Sequence, residues 1–299
     1  MHILTEGRKQ ETLGDLIKVL SDGGLCLDGL TNILASEIAE IELKVKNAAV
    51  DNDPTPYIYL ENVFSANFYQ RLLKSVDGCA AQYDDPRNSY SAWAGDGEHY
   101  LFAEREVEAI LRSSAGALIL EAIALRQTMK TIGALAQSLV DKFRQWIPEC
   151  NLGVASQTFH LHSYFMRDES GYGIKPHTEG FTTVLTAMIY LPYDDRLQEH
   201  GTILYKPKEA QKTCYGRGEY LPLYPESQFE TAKLLPFRRN ALMAFVKTPR
   251  SWHGLPSIGS VPYSRNSMNL NVHNPARKTD QGLIEQLTTG RLMVPAWEP

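Results

Sequence analysis

Apolar residues recur at helical spacing in the first half of the chain and at strand spacing in the second, with the change near residue 150. In residues 11–22, Leu13, Ile17 and Leu20 fall on one stripe, and in residues 30–48 Leu34, Ile38 and Ile41 do the same. Spacing of three to four residues is the signature of an amphipathic helix. The breaker cluster "DNDPTP" at 51–56 reads as a linker. A short strand, "YIYL", follows it, and then a helix over "SANFYQRLLKSV" with Ser65 placed to cap its start. Two further helices are expected over residues 103–148, parted near "SSAGA".

Beyond residue 150 the runs shorten and alternate: 157–166, 182–191, 201–205, 231–235, 241–247 and 264–273. Turn residues separate them, which predicts an antiparallel sandwich or jelly roll. The connection over 206–230 is long for a structural loop and is expected to form a lid over a site.

Two of these strands carry an unusual polar face. In "QTFHLHSYF" alternation puts Thr158, His160, His162 and Tyr164 on one side and Phe159, Leu161 and Phe165 on the other. In "SRNSMNLNVH" it groups Arg265, Ser267, Asn269, Asn271 and His273 against Met268, Leu270 and Val272. Half of an antiparallel sheet can simply face water. A solvated face, however, is normally a mixture of Lys, Glu and Thr rather than His, Tyr, Arg and Asn.

Composition narrows the function. The 299 residues carry a net charge of −5, which offers no electrostatic footprint for nucleic acid. No apolar run approaches the roughly 20 residues of a membrane span. The N-terminal stretch lacks the basic and apolar regions of a signal peptide. The cysteines Cys26, Cys79, Cys150 and Cys214 form no C-x-x-C pair, as suits reduced thiols. A cytoplasmic protein with neither nucleic-acid nor membrane partners is expected.

The chemistry concentrates in "GYGIKPHTEG", residues 171–180, where His177 and Glu179 stand two apart. On one strand such residues point the same way, about 6.6 Å apart at their α-carbons. His253, at the end of the apolar strand "NALMAFVKT", offers a third ligand. Two histidines and a carboxylate on one side of an ion leave positions open for substrate and oxygen, as in non-haem Fe(II) oxygenases. Arg265 and Ser267 form an R-x-S triplet, able to grip a carboxylate by a guanidinium fork and a hydroxyl.

In this order, "GYGIKPHTE", "GTILYKPK", "LPFRRNALMAFVKTPRSWHGL" and "YSRNSMNLNV" resemble the core of the 2-oxoglutarate/Fe(II)-dependent oxygenases. The likeness is greatest to the bacterial prolyl-4-hydroxylase-like branch, and covers about residues 157–273. The resemblance implies an α+β fold: a double-stranded β-helix of the jelly-roll, cupin-like type, with helices packed outside one sheet. It implies that His177, Glu179 and His253 are catalytic iron ligands and that Arg265, Ser267 and Tyr164 bind 2-oxoglutarate. Fe(II), 2-oxoglutarate and O2 would then hydroxylate an unactivated C–H of a small molecule or of a peptidyl or sugar substrate, releasing succinate and CO2. The sequence departs from the family in its carboxylate, which is usually aspartate and is here Glu179.

Other residues are expected near the substrate: Arg167, Lys175, Trp252, Asn269 and Asn271. His160 and His162 read as pocket residues, and His200 as a solvent-facing turn residue. The oxygenase domain is assigned to residues 53–299. Residues 1–52 are a helical N-terminal extension, open to a role as a cap, a homodimer contact or a carrier-protein dock. Two rivals share the fold: a non-catalytic jelly-roll binding module, and a cupin-like metalloenzyme that uses no 2-oxoglutarate.

Overall fold

The computed structural model describes residues 27–80, 99–102, 128, 132–147, 160–180, 182–210, 212, 223–260 and 263–273. The helix expected over 11–22, most of the two expected over 103–148, and the middle of the 206–230 lid lie outside them.

Among the described residues three α-helices lie in the first half of the chain, interleaved with its first two strands: α1 (Leu27–Asn47), α2 (Ala66–Ala80) and α3 (Leu135–Lys142). On α1 the spacing of Leu34, Ile38, Ile41 and Val45 yields one buried stripe, as periodicity predicts. Ser65 caps α2, its hydroxyl accepting the Phe68 N–H at 3.3 Å. Glu37 of α1 in turn accepts both the Ser65 hydroxyl and, at 2.7 Å, the Ser65 N–H. One buried carboxylate thus ties the start of α2 to the side of α1. The 51–56 segment is no open linker: Asp51 bridges to Tyr57 through both backbone groups and accepts the Tyr57 hydroxyl at 2.6 Å.

Among the described residues ten strands form two antiparallel sheets. They are β1 (Tyr57–Leu60), β2 (His99–Phe102), β3 (His160–Asp168), β4 (Ile174–His177), β5 (Thr183–Tyr190), β6 (Thr202–Pro207), β7 (Phe229–Leu235), β8 (Ala241–Val246), β9 (His253–Leu255) and β10 (Arg265–His273). The larger sheet runs β1-β8-β5-β10-β3-β2 and the smaller β4-β9-β6-β7. From β3 onward the chain crosses repeatedly between the sheets, which is the winding of a double-stranded β-helix. The class is α+β, as expected.

Alternation decides what each face does. The outer residues of the large sheet, among them Phe165, Leu185, Ala187, Ile189, Leu242, Ala244, Met268 and Leu270, share one apolar cluster with all three helices. The inner residues Met166, Met188, Tyr190, Met243 and Phe245 meet Leu204, Leu235 and Phe237 from the small-sheet side. Covered on both faces, β5 is buried along its whole length. Tyr164, Asp168, Arg265, Ser267, Asn269 and Asn271 share the face of Met166 and therefore look between the sheets. Among the described residues no helix is long and apolar enough to cross a membrane.

Candidate metal centre

Strand pairing brings the two histidines together. In the small sheet β4 and β9 are neighbours, and His177 lies directly opposite His253. Cross-strand partners hold their Cβ atoms about 4.5–5.5 Å apart; here the ring centroids are 4.2 Å apart with planes at 54°. Gly254 permits this approach, because a Cβ there would lie 2.6 Å from the Ile174 carbonyl oxygen.

His253 is thus not at the end of the apolar strand before it. That strand, β8, ends at Val246 in the large sheet. A turn at Pro249, closed by Ser251 N–H to Thr248 O at 3.3 Å and by Thr248 N–H to Ser251 Oγ at 3.0 Å, carries the chain to the other sheet.

Glu179 arrives by a different route from the one alternation suggests. The strand β4 stops at His177, so Glu179 stands on the crossing between the sheets and not two places along a strand. Lys247 secures that crossing by donating from Nζ to Thr178 Oγ1 at 2.5 Å, both groups being buried. Glu179 Oε1 accepts the Thr186 hydroxyl of β5 at 3.0 Å and lies 3.4 Å from His253 Nε2. One ligating atom of each of His177, Glu179 and His253 lies within 4.8 Å of the others, the one such group among the described residues.

The protonation pattern suits a cation. His177 Nδ1 bonds the Lys175 carbonyl at 2.8 Å and His253 Nδ1 the Ser251 carbonyl at 2.9 Å. A carbonyl only accepts, so each Nδ1 carries a proton and Nε2 is the ring nitrogen left to face a metal. Burial, reinforced by the neighbouring His253, lowers His177 to about 3, which keeps it neutral at pH 7. Burial opposes ionisation of Glu179, but His253, His177 and the Thr186 hydroxyl outweigh it and bring the carboxyl down to about 2. Two imidazoles and one carboxylate are the donor set of Fe(II) facial triads and of some Zn(II) sites.

The second cluster lies along β10. Arg265 Nη1 donates to Asp168 Oδ2 at 2.6 Å, and Nε donates to the His200 carbonyl at 2.8 Å. The fork is therefore partly committed within the protein, which leaves Nη2 as the nitrogen bound to neither. His200, expected at the surface, is half-buried and supplies this backbone acceptor. Ser267 Oγ is buried with no hydrogen-bond partner among the described residues. Asn269 and Asn271 both donate to the Tyr164 hydroxyl, at 3.2 and 3.1 Å. Burial and then the Glu179 charge push the Tyr164 phenol up, so it keeps its proton. In register Asn271 is flanked by Thr186 and His162, which places this polar row beside Thr186, the donor to Glu179.

The remaining residues expected near substrate are not brought to the triad by any recorded contact. Arg167 alternates to the opposite face of β3 from Tyr164 and is held by Glu169 at 2.6 Å and Ser264 at 3.0 Å. Lys175 is exposed and contributes its carbonyl. Trp252 is wholly buried against Tyr205, Phe229 and Tyr224, with Nε1 unpartnered among the described residues. Sequence reasoning missed Asp168, Thr186 and Lys247. For Asp168 a signal existed: it continues the alternation of His162, Tyr164 and Met166.

No protein-family model matches the sequence, and no curated protein matches it. Among solved structures the chain is similar to a prolyl hydroxylase from Trichoplax adhaerens in complex with a hypoxia inducible factor peptide fragment. Identity is 12%, the TM-score 0.44, and coverage 90% of this chain and 96% of that one. It is similar to a Pseudomonas putida prolyl-4-hydroxylase at 9% identity and TM-score 0.45, over 80% and 98% of the two chains. It is also similar to the epimerase SnoN in complex with Fe3+, alpha ketoglutarate and nogalamycin RO, at 16% identity and TM-score 0.46, over 73% and 78%.

Proposed function

We propose that this protein is a 2-oxoglutarate-dependent, non-haem Fe(II) oxygenase. The observation that carries the reading is the convergence of His177, Glu179 and His253, with both imidazoles fixed by their Nδ1 protons and the carboxylate ionised. Three protein ligands on one side of an ion leave positions for a chelating cosubstrate and for oxygen. Bound iron would supply the oxygen chemistry by which 2-oxoglutarate is split to succinate and CO2 while a substrate C–H is oxidised.

The protein's own part is positioning. His177 and His253 hold the metal through Nε2, and Thr186 fixes the longer arm of Glu179 through its hydroxyl. Ser267, the Tyr164 phenol and Arg265 Nη2 supply donors for the distal carboxylate of 2-oxoglutarate. Asn269 and Asn271 hold the Tyr164 oxygen in place. The substrate is a small molecule, or a peptidyl or sugar group, and hydroxylation is the expected outcome.

One observation favours a second reading, a metalloenzyme that uses the triad without 2-oxoglutarate: Arg265 already pairs with Asp168. Product analysis separates the two. The iron-loaded protein should convert 2-oxoglutarate slowly to succinate even without prime substrate, and Glu179→Ala should not. A protein that binds Fe(II) and oxidises a substrate without consuming 2-oxoglutarate contradicts the first reading.

A further inference from the structure

Asp168 and Arg265 face each other where β3 and β10 pair. Their side chains are sealed from solvent, at 0% and 2% exposure, with 2.6 Å between Oδ2 and Nη1. The Phe237 ring, 4.4 Å from the guanidinium carbon, and the Tyr190 ring, at 5.5 Å, close the cation on other sides. Arg265 therefore has a counter-ion of its own before any ligand arrives.

Two residues along the same face, Ser267 is fully buried, and its Oγ is unpartnered among the described residues. A buried hydroxyl without a partner marks a place where another molecule completes the bonding. The ligand-binding element of this cluster is thus a set of neutral donors, Ser267 and Tyr164, next to a cation that is already paired. A dicarboxylate bound there would put a second carboxylate on one guanidinium. Two carboxylates in a buried site repel each other, and one cation attracts each of them less in the presence of the other.

Resting on the 2-oxoglutarate reading, we infer that Asp168 determines cosubstrate affinity by offsetting the pull of Arg265 on the distal carboxylate. The site then holds the far end of 2-oxoglutarate by hydrogen bonds more than by charge. An Asp168 that merely oriented the guanidinium would have the opposite effect on affinity when neutralised.

The test is calorimetric titration of Mn(II)-loaded protein with 2-oxoglutarate and with 4-nitro-2-oxobutanoate, whose distal nitro group replaces the carboxylate with the same shape and no net charge. Wild type should prefer the dicarboxylate by less than about tenfold. Asp168→Asn should bind 2-oxoglutarate at least about tenfold tighter and raise that preference by a similar factor, with Mn(II) affinity unchanged. A wild-type preference above about tenfold, or an Asp168→Asn protein that binds 2-oxoglutarate no tighter than wild type, overturns the inference. If Asp168→Asn does not fold, the wild-type preference decides alone. Failure of both ligands to bind any Mn(II)-loaded protein refutes the cosubstrate reading and this inference with it. Overturning the role of Asp168 alone leaves 2-oxoglutarate binding intact.

Discussion

Two polar clusters lie between the sheets, and they are built in opposite ways. At the triad, lone pairs and a negative charge converge: two Nε2 atoms and a carboxylate, with their other bonds already made to backbone and to Thr186. At Arg265 a positive charge already meets a carboxylate, a carbonyl and aromatic rings, and Nη2 and the Ser267 hydroxyl are the donors left over. The first arrangement gains by acquiring a cation; the second, with its cation already paired, gains less charge attraction by acquiring an anion. Buried polar residues therefore point to a ligand only where their bonding is left open.

The largest effect should come from the open cluster. Glu179→Ala or His253→Ala should weaken metal binding by well over about a hundredfold, beyond what loss of a supporting hydrogen bond costs. Metal titration of protein shown to be folded checks this. Equal metal affinity would erase the contrast between the clusters.

Arg265→Met should do the reverse. It removes the guanidinium from a charged, buried Asp168, at a cost of about 3–5 kcal/mol in urea unfolding. Metal affinity should hold. The double variant Arg265→Met/Asp168→Leu should recover most of the loss, since a buried ion pair replaced by apolar groups is often neutral.

Removing one supporting bond should have a smaller effect. Thr186→Val keeps the shape of the side chain and removes the donor to Glu179, so metal affinity should fall by roughly tenfold. The arms of the comparison also differ in acid. His177 is held at about 3 against an ordinary value of 6.5, so as pH falls through that window the unfolded chain takes up a proton that the folded chain refuses. Stability of the metal-free protein should therefore drop on going from pH 6.5 toward 3. Glu179, brought from 4.5 to about 2, adds a loss of the same sign at lower pH. Melting temperatures across pH should show the upper part of this slope flattened in His177→Asn.

The contrast also explains what could be read in the sequence. The long strands β3, β5 and β10 alternate clearly, so their faces, and the grouping of Arg265, Ser267, Asn269 and Asn271, follow from period two. The helical stripe of α1 and the Ser65 cap are equally local. The strands β4 and β9 have only four and three residues and contain Pro176 and Gly254, so they show no period at all. Their pairing, which sets His177 against His253, is long-range. The same holds for Thr186, which reaches Glu179 across the inter-sheet crossing, and for Lys247, which reaches Thr178 from the end of β8. The pairing of Asp168 with Arg265 was nearer to view: both end their polar faces, but which charge meets which depends on strand register.

The most direct test is an anaerobic titration of metal-free protein with Fe(II) and then 2-oxoglutarate, in wild type and Glu179→Ala, followed by visible absorption. A weak charge-transfer band that needs both additions, at one iron per chain, and is absent in Glu179→Ala is the predicted result. No band in wild-type protein shown to be folded and to bind one Fe(II) would mean that the triad holds a metal for some other chemistry.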